Sequence, residues 1–421
     1  MGHKSIGLFR LLEGEGQVDT LEEQLEDLQN RCVVRIAFVA EHEVGSMLPF
    51  SGIPYFMARA LRTEAESFHF VESPRFDLEL MFSNPRRGRA QLEQIGKFVS
   101  GRLRRLEVDC IICQGSSMLP FLDTETFVCL WHDSTWQTLL QIPFEEFRVN
   151  YPLLYEWDQL VLKKSSLIVY AADWVRDETI RHYAADPAKL TVLSFGASLF
   201  DPAEDVVERS IGARKRTPCK LTFVGVDWIR KGLPLAHSLM NRLNITGVPT
   251  VLNVVGCTFE PSGTYAEQTD PWLSACYPFN SRGLFSLRVR TDKSVRVWGF
   301  LNKDEKSDYQ QFCDILCDTH FLIHPAEFEC FGVVLTEANA FGVPVLSLAR
   351  FGPRSIIKPG LNGHLFEPDR FVAEASALIV SRLGDNEAYR LECRTAFEEY
   401  KKRLNWQTNC RELLALIAGA V

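Results

Sequence analysis

Two glutamates with seven residues between them, Glu329 and Glu337, stand in the stretch HPAEFECFGVVLTEANAFGVP at 324–344. An apolar run, Phe321-Leu322-Ile323, precedes it and reads as a buried strand, and Glu329 falls with Glu327 in the polar loop that follows. A helical pattern begins near Gly332. Gly342 and Pro344 end it, as helix stop signals do, and Val343–Leu348 reads as the next strand. Such a unit aims the backbone N–H groups of Phe331, Gly332, Val333 and Val334 at the edge of a parallel sheet, where phosphate oxygens bind well. A carboxylate repels phosphate, so the two glutamates are suited instead to accept hydrogen bonds from neutral hydroxyls, such as those of a sugar or a ribose. The plainer alternative is a helix-start acid at 329, favoured by the macrodipole, and an exposed helical glutamate at 337.

Further chemistry-bearing residues fall at strand ends. Cys219–Val224 reads as a strand running into GVDWIRKG at 225–232, where Arg230 and Lys231 form a cation pair suited to a diphosphate. Taken instead as a solvated basic helix start, the pair would set positive charge against the positive end of a helix dipole. Thr126–Trp131 reads as another strand and leads into His132-Asp133-Ser134-Thr135. A histidine at the carboxyl end of a strand points into the crevice of an open α/β sheet, where ligands bind. A structural histidine is the alternative.

In register, Glu329-Cys330-Phe331-Gly332, Glu337-Ala338 and Gly342-Val343-Pro344 resemble the E-x7-E signature of retaining glycosyltransferases of the GT-B fold, the GT4 family or glycosyl transferases group 1. The resemblance covers residues 33 to about 418, most specifically 219–232 and 320–366. It implies an α/β protein with two Rossmann-like domains facing a central cleft and a C-terminal helix that crosses back to the N-terminal domain. It also implies that Glu329 lies by the donor sugar, Glu337 holds the nucleotide ribose and Lys231 binds the donor phosphates. Val226 stands where the family often has an arginine, and Arg230 is the residue to compensate for it. By resemblance His132 contacts the donor sugar, with Asp133 orienting it or binding acceptor hydroxyls. The loop with Gly45 and Ser51-Gly52 stands where the family commonly has a double glycine near the phosphates; Gly52 is either such a neighbour or a turn residue. Phe300 and Leu301 correspond to the backbone that meets the nucleobase. Pro353 and Ser355 depart from the family's double glycine and acid, so the donor pocket differs there.

The implied reaction moves a sugar from a UDP- or GDP-sugar to a hydroxyl of a glycan, a glycolipid or another cell-envelope precursor, with retention. It needs no metal and no cofactor beyond the nucleotide sugar, because basic side chains and a helix N-terminus stabilise the leaving diphosphate. A non-catalytic scaffold of the same fold remains open as an alternative. So does an epimerase or phosphorylase acting on nucleotide sugars or sugar phosphates.

The elements that must position these residues alternate strand and helix, as a doubly wound sheet requires. Val33–Ala40 is the first strand, followed by a turn-rich segment and a helix from about Ile53 to Arg62. Val108–Cys113, Ser166–Ala171 and Leu190–Phe195 are strands of the first half. Thr250–Val255 and Val295–Trp298 are strands of the second, with a helix over Lys303–Cys317, and Gly360–Phe366 resembles the family's turn and final strand. The expected divisions are a polar lead at 1–32, an acceptor domain at 33–200, a linker at 201–218, a donor domain at 219–402 and a crossing helix at 403–421. Leu21–Leu28 has the spacing of a surface helix, and 257–292 has few periodic features.

The 421 residues, 46% hydrophobic and 24% charged, suit two globular domains, and a formal charge of −8 disfavours nucleic acid as a main partner. No apolar run reaches the length of a membrane span, the first residues lack a signal-peptide core, and Ile6 does not fit a myristoylation site. A cytoplasmic setting follows as the expectation. The twelve cysteines are scattered, and Cys110-x-x-Cys113 sits in a strand-like run, so buried free thiols are expected rather than a zinc site. The basic stretch 84–106 places Leu92, Ile95, Val99, Leu103 and Leu106 at helical spacing. Arg102, Arg104 and Arg105 are either a solvated face or a surface for acidic headgroups at the inner face of a membrane.

Overall fold

The computed structural model describes residues 32–41, 43–141, 148–257, 289 and 291–421. It contains two six-stranded, wholly parallel sheets. The first is built from β1 (Cys32–Ala40), β2 (Ala65–Glu72), β3 (Cys110–Gln114), β4 (Phe127–His132), β5 (Leu167–Tyr170) and β6 (Leu190–Val192), in the order β2-β1-β3-β4-β5-β6. The second is built from β7 (Cys219–Val224), β8 (Thr250–Val255), β9 (Val295–Gly299), β10 (Phe321–His324), β11 (Val345–Leu348) and β12 (Gly363–Phe366), in the order β12-β11-β10-β7-β8-β9. The central strands are buried on both faces, as near-continuous apolar runs such as Cys110–Gln114 require. In each sheet the chain order reverses once, between β1 and β3 and between β7 and β10, and ligands bind beyond the carboxyl ends of strands at such a point.

The helices that matter to the site are α1 (Ile53–Glu64), α2 (Pro85–Leu103), α3 (Glu204–Ala213), α4 (Leu233–Ile245), α5 (Lys306–Asp318), α6 (Val333–Ala340) and α7 (Trp406–Ala418). The Asn405 side chain caps α7 by accepting from the Thr408 N–H at 2.8 Å. This last helix packs on α1 and β1 of the first domain, with Trp406 wedged against Trp131 and Phe195 at ring separations of 5.7 and 5.5 Å. The crossing back of the C-terminus is therefore built into the core rather than laid over the surface.

Several elements differ from the sequence reading. Ala65–Glu72 is an edge strand, although no strand was expected between the first helix and the basic stretch. The expected linker holds α3, whose Val207 and Ile211 are buried. Behind it the buried Arg214 guanidinium donates to Phe341 O at 2.7 Å and Gly342 O at 2.8 Å, tying this stretch to the second domain. The helix expected from Lys303 starts at Lys306 instead, leaving 300–305 as a loop. The basic stretch forms α2, with Leu92, Ile95, Val99 and Leu103 buried as the spacing requires. Cys110 and Cys113 are free, buried thiols, that of Cys113 pushed up to about 12 by burial. The helix read at Leu21–Leu28 and nearly all of 257–292 lie outside the described residues. No helix among the described residues is long and apolar enough to cross a membrane.

Candidate active site

A cavity of about 430 Å³, within the range of small-molecule sites, lies between the carboxyl ends of the two sheets. Its floor is the switch point of the second sheet. The loop after β7 closes on itself through Trp228 N–H to Val226 O at 3.0 Å and Lys231 N–H to Asp227 O at 3.0 Å. Gly232, at φ +83°, then turns it into α4, and a Cβ there would fall 2.1 Å from Pro325 O in the loop after β10. Only glycine allows the two loops to approach so closely, and that approach brings Lys231 onto Glu329.

Glu329 is largely buried and held from two sides. Lys231 Nζ bonds its Oε2, and His324 Nε2 lies 3.1 Å from the same oxygen. Burial alone would raise the Glu329 pKa, but Lys231, His324 and Arg230 overcome it and hold the carboxyl below the usual range, so it stays anionic. Burial pulls the Lys231 and His324 pKa values down, with Glu329 opposing both. Arg230 donates to Asp227 Oδ2 at 3.2 Å and to Phe328 O at 2.9 Å, so two of its three nitrogens are already committed. It lines the cavity with these bonds in place.

Gly332, at φ +104°, precedes α6, whose first turn leaves N–H groups without intrahelical acceptors facing the cavity at Val333 and Val334. Phe331, also on the lining, packs edge-on to Phe195 of the first domain at 5.4 Å. Glu337 follows on α6. It is buried rather than exposed, and Lys303 Nζ bonds its Oε1 while also donating to Ser198 O at 3.0 Å. Burial raises the Glu337 pKa, and Lys303 opposes the rise. Phe300 and Leu301 line the cavity beside Lys303.

From the first domain, Asp133 reaches the cavity and His132 does not. The His132 Nδ1 sits 2.9 Å from Ser134 O but 3.8 Å from Asp133 Oδ1, beyond hydrogen-bond range. Asp133 therefore does not orient the imidazole by a hydrogen bond; it faces the cleft, where burial raises its pKa and the Glu329 charge adds to the rise. Gly52 is off the lining as well. At φ +83° it starts α1, packed on Met47 O and Ser198 Cβ, while its neighbours Phe50, Ser51 and Ile53 form the wall.

The sequence reading passed over Lys303 and His324. Lys303 was counted into a helix, although a lysine just beyond a strand end carries the same signal that singled out Lys231. His324 ends β10 five residues before Glu329, and its complete burial beside a carboxylate could not be read from spacing.

Comparison with known proteins bears on this site. Residues 208–404 match the family model of glycosyl transferases group 1, so the second half of the chain carries that domain. Over 251 residues the chain is 26% identical to a glycogen synthase of Mycobacterium tuberculosis, a match that spans 59% of this chain and 53% of that protein. Over 98 residues it is 36% identical to a probable sucrose-phosphate synthase of Oryza sativa subsp. japonica, spanning 23% of this chain and 10% of that one. The chain thus matches about half or less of the length of these relatives. Among solved structures, Anabaena Alr3699/HepE in complex with UDP and glucose superposes with a TM-score of 0.61 at 15% identity, over 92% of this chain and 100% of that one. This similarity establishes the GT-B fold, two Rossmann-like domains about a cleft.

Proposed function

We propose that the protein transfers a sugar from a nucleoside diphosphate sugar, UDP- or GDP-linked, to a hydroxyl acceptor such as a glycan, a glycolipid or another cell-envelope precursor, with retention and without a metal or cofactor. The observation that carries this reading is the meeting of Lys231 and Glu329 at the β7/β10 switch point, with Glu337 and the start of α6 in the same cavity. In this reading the diphosphate lies against Lys231, Arg230 and the N–H groups of Gly332, Val333 and Val334. Glu337 accepts the ribose hydroxyls on Oε2 while Lys303 holds Oε1. The nucleobase meets the backbone at Phe300 and Leu301. The group 1 domain and the UDP and glucose bound by the Anabaena neighbour support it.

The bond from the anomeric carbon to the diphosphate oxygen breaks, and the acceptor oxygen bonds to that carbon from the same face. The acceptor's proton passes to the departing diphosphate. Glu329 positions the sugar and stabilises its cationic transition state, and Asp133 accepts the acceptor's hydroxyl, while His132 stands behind the wall with its ring 6.4 Å from that of Phe50. NMR of the product should show the donor's anomeric configuration, and turnover should be unchanged in excess EDTA. Inversion, or a loss restored by magnesium, would contradict the proposal.

Val226 in place of an arginine favours a second reading, a non-catalytic scaffold of the same fold. A folded protein that forms no product with any acceptor would establish it. On the first domain, α2 carries Arg86, Arg87, Lys97 and Arg102 on its exposed side, with the Arg102 guanidinium over Phe98, 46% exposed, and Arg105 just past the helix end, which supports peripheral contact with an anionic membrane. Arg104 is paired with Asp123, so Lys97, Arg102 and Arg105 are the residues to replace. Flotation with phosphatidylglycerol vesicles should be lost in that variant, and no flotation of the unmodified protein would rule the contact out.

A further inference from the structure

The cavity's cations stand on one wall, beside Asp227, Glu329 and Glu337. Arg230, Lys231 and Lys303, the cations on the described lining, all come from loops of the second sheet. The first-domain wall is Met47, Leu48, Phe50, Ser51, Ile53 and Asp133, without a cation. Leu48 and Phe50 are each 43% exposed, and Val226 on the facing wall is 45% exposed. These are large apolar surfaces open to a polar site.

The wall is held in this arrangement. Phe50 and Ser51 have positive φ angles of 50° and 57°, a left-handed conformation that side chains resist and that concentrates at ligand sites. Glycine at 50 would relieve the strain and remove the ring. Ser46 Oγ and Met47 N–H donate to Asp304 at 2.5 and 2.7 Å, fixing the same segment against the loop after β9. A phosphorylated acceptor would meet Asp133 and apolar carbon here with no countercharge. A fully hydroxylated sugar would give up its hydration to a wall whose polar side chains are Ser51 and Asp133.

We propose that the acceptor is an amphiphile, a neutral hydroxyl joined to an alkyl or aromatic body. The body packs on Leu48 and Phe50 with Val226 opposite, and Asp133 accepts the hydroxyl. This rests on the transferase reading above and narrows it. The experiment first records the thermal shift produced by UDP, GDP and ADP, which tests the donor site alone. With the nucleotide bound, saturation-transfer NMR and titration compare octyl glucoside below its micelle concentration, phenyl glucoside, methyl glucoside and glucose 6-phosphate. Each buried methylene strengthens binding roughly fourfold, so octyl or phenyl glucoside should bind at least about tenfold tighter than methyl glucoside, and glucose 6-phosphate weakest. Octyl above phenyl marks a lipid-like acceptor, and phenyl above octyl an aromatic aglycone. Leu48→Asn, alone and with Phe50→Asn, should abolish the preference and leave the nucleotide shift unchanged, the exposed Leu48 position serving if the double variant does not fold. A nucleotide shift with no preference, with tighter glucose 6-phosphate, or with a preference that survives both variants overturns this inference and spares the transferase reading. No shift with any nucleotide overturns both.

Discussion

Glu329 and Lys231 form a buried pair, and this changes how their substitutions should be read. Removing either partner strands a charge, which typically costs about 3–5 kcal/mol, so Glu329→Ala and Lys231→Ala should lose stability as well as activity. Glu329→Gln keeps hydrogen bonds to Lys231 and His324 and separates the two effects. Its turnover should fall by on the order of a hundredfold with a smaller change in melting temperature, measured by steady-state kinetics and calorimetry. Because the folded Glu329 pKa is depressed, its stabilisation is present above the unfolded value of about 4.3 and is lost only as pH falls through the lower folded value. Asp158 behaves in the opposite way. It accepts from the Trp136 N–H at 2.9 Å and from the Tyr183 hydroxyl, and burial pushes its pKa up to about 7. Between its unfolded pKa of about 3.9 and that value the folded state holds a proton the unfolded chain has released, so this group lowers stability as pH rises through that window. Denaturant titrations of Asp158→Asn against the unmodified protein should show the difference in unfolding free energy shifting in the variant's favour from pH 4 to 7 and levelling above. A pH-independent difference would contradict the assignment.

At the scale of elements, the site depends on two backbone approaches rather than on side-chain reach. Gly232 lets the β7 and β10 loops touch, and Gly352 lies where a Cβ would fall 2.4 Å from Phe331 O. Gly232→Ala adds a left-handed alanine, which alone costs about 1–2 kcal/mol, and a collision with the Pro325 carbonyl. Its loss should exceed that figure in chemical denaturation and should weaken nucleotide binding, because Lys231 moves off Glu329. The β7 and β10 units were legible in the sequence because apolar run, glycine turn and helical pattern coincide in register there. The edge strand β2 was not. Only Ala65 and Val71 are buried along AESFHFVE, while Phe68 and Phe70 stay half-exposed, so the alternation that betrays a strand is faint. The helix α3 was hidden for a different reason: prolines and charges surround it, and only Val207 and Ile211, one turn apart, face inward. Lys303 was misplaced because helix starts are fixed by caps, and Glu305 caps without a side-chain hydrogen bond.

For the whole molecule, two doubly wound sheets present their switch points to one another, and α7 fastens the far end of the chain to the first of them. Trp406 is the central contact, 5% exposed, and Gly196 packs so closely that a Cβ would lie 2.3 Å from Trp406 N. Trp406→Ala should cost about 3–5 kcal/mol, read as a lower unfolding midpoint by tryptophan-independent circular dichroism. The Glu64–Arg411 ion pair between α1 and α7, with Arg411 55% exposed, should contribute under about 1 kcal/mol in a double-mutant cycle. That two such sheets form was legible from the alternation of strand and helix. Which side chains meet across the cleft was not, because Asp133, Lys303 and Phe50 are far apart in sequence and joined only by the fold. Calorimetric titration of UDP, GDP and ADP without metal tests the central claim, that this cleft is a nucleoside diphosphate site. One nucleotide should bind in preference to the others, and at least about tenfold more weakly, a loss of about 1.4 kcal/mol, in Glu337→Ala. Binding of none of the three, or binding unchanged by that substitution, would contradict the account.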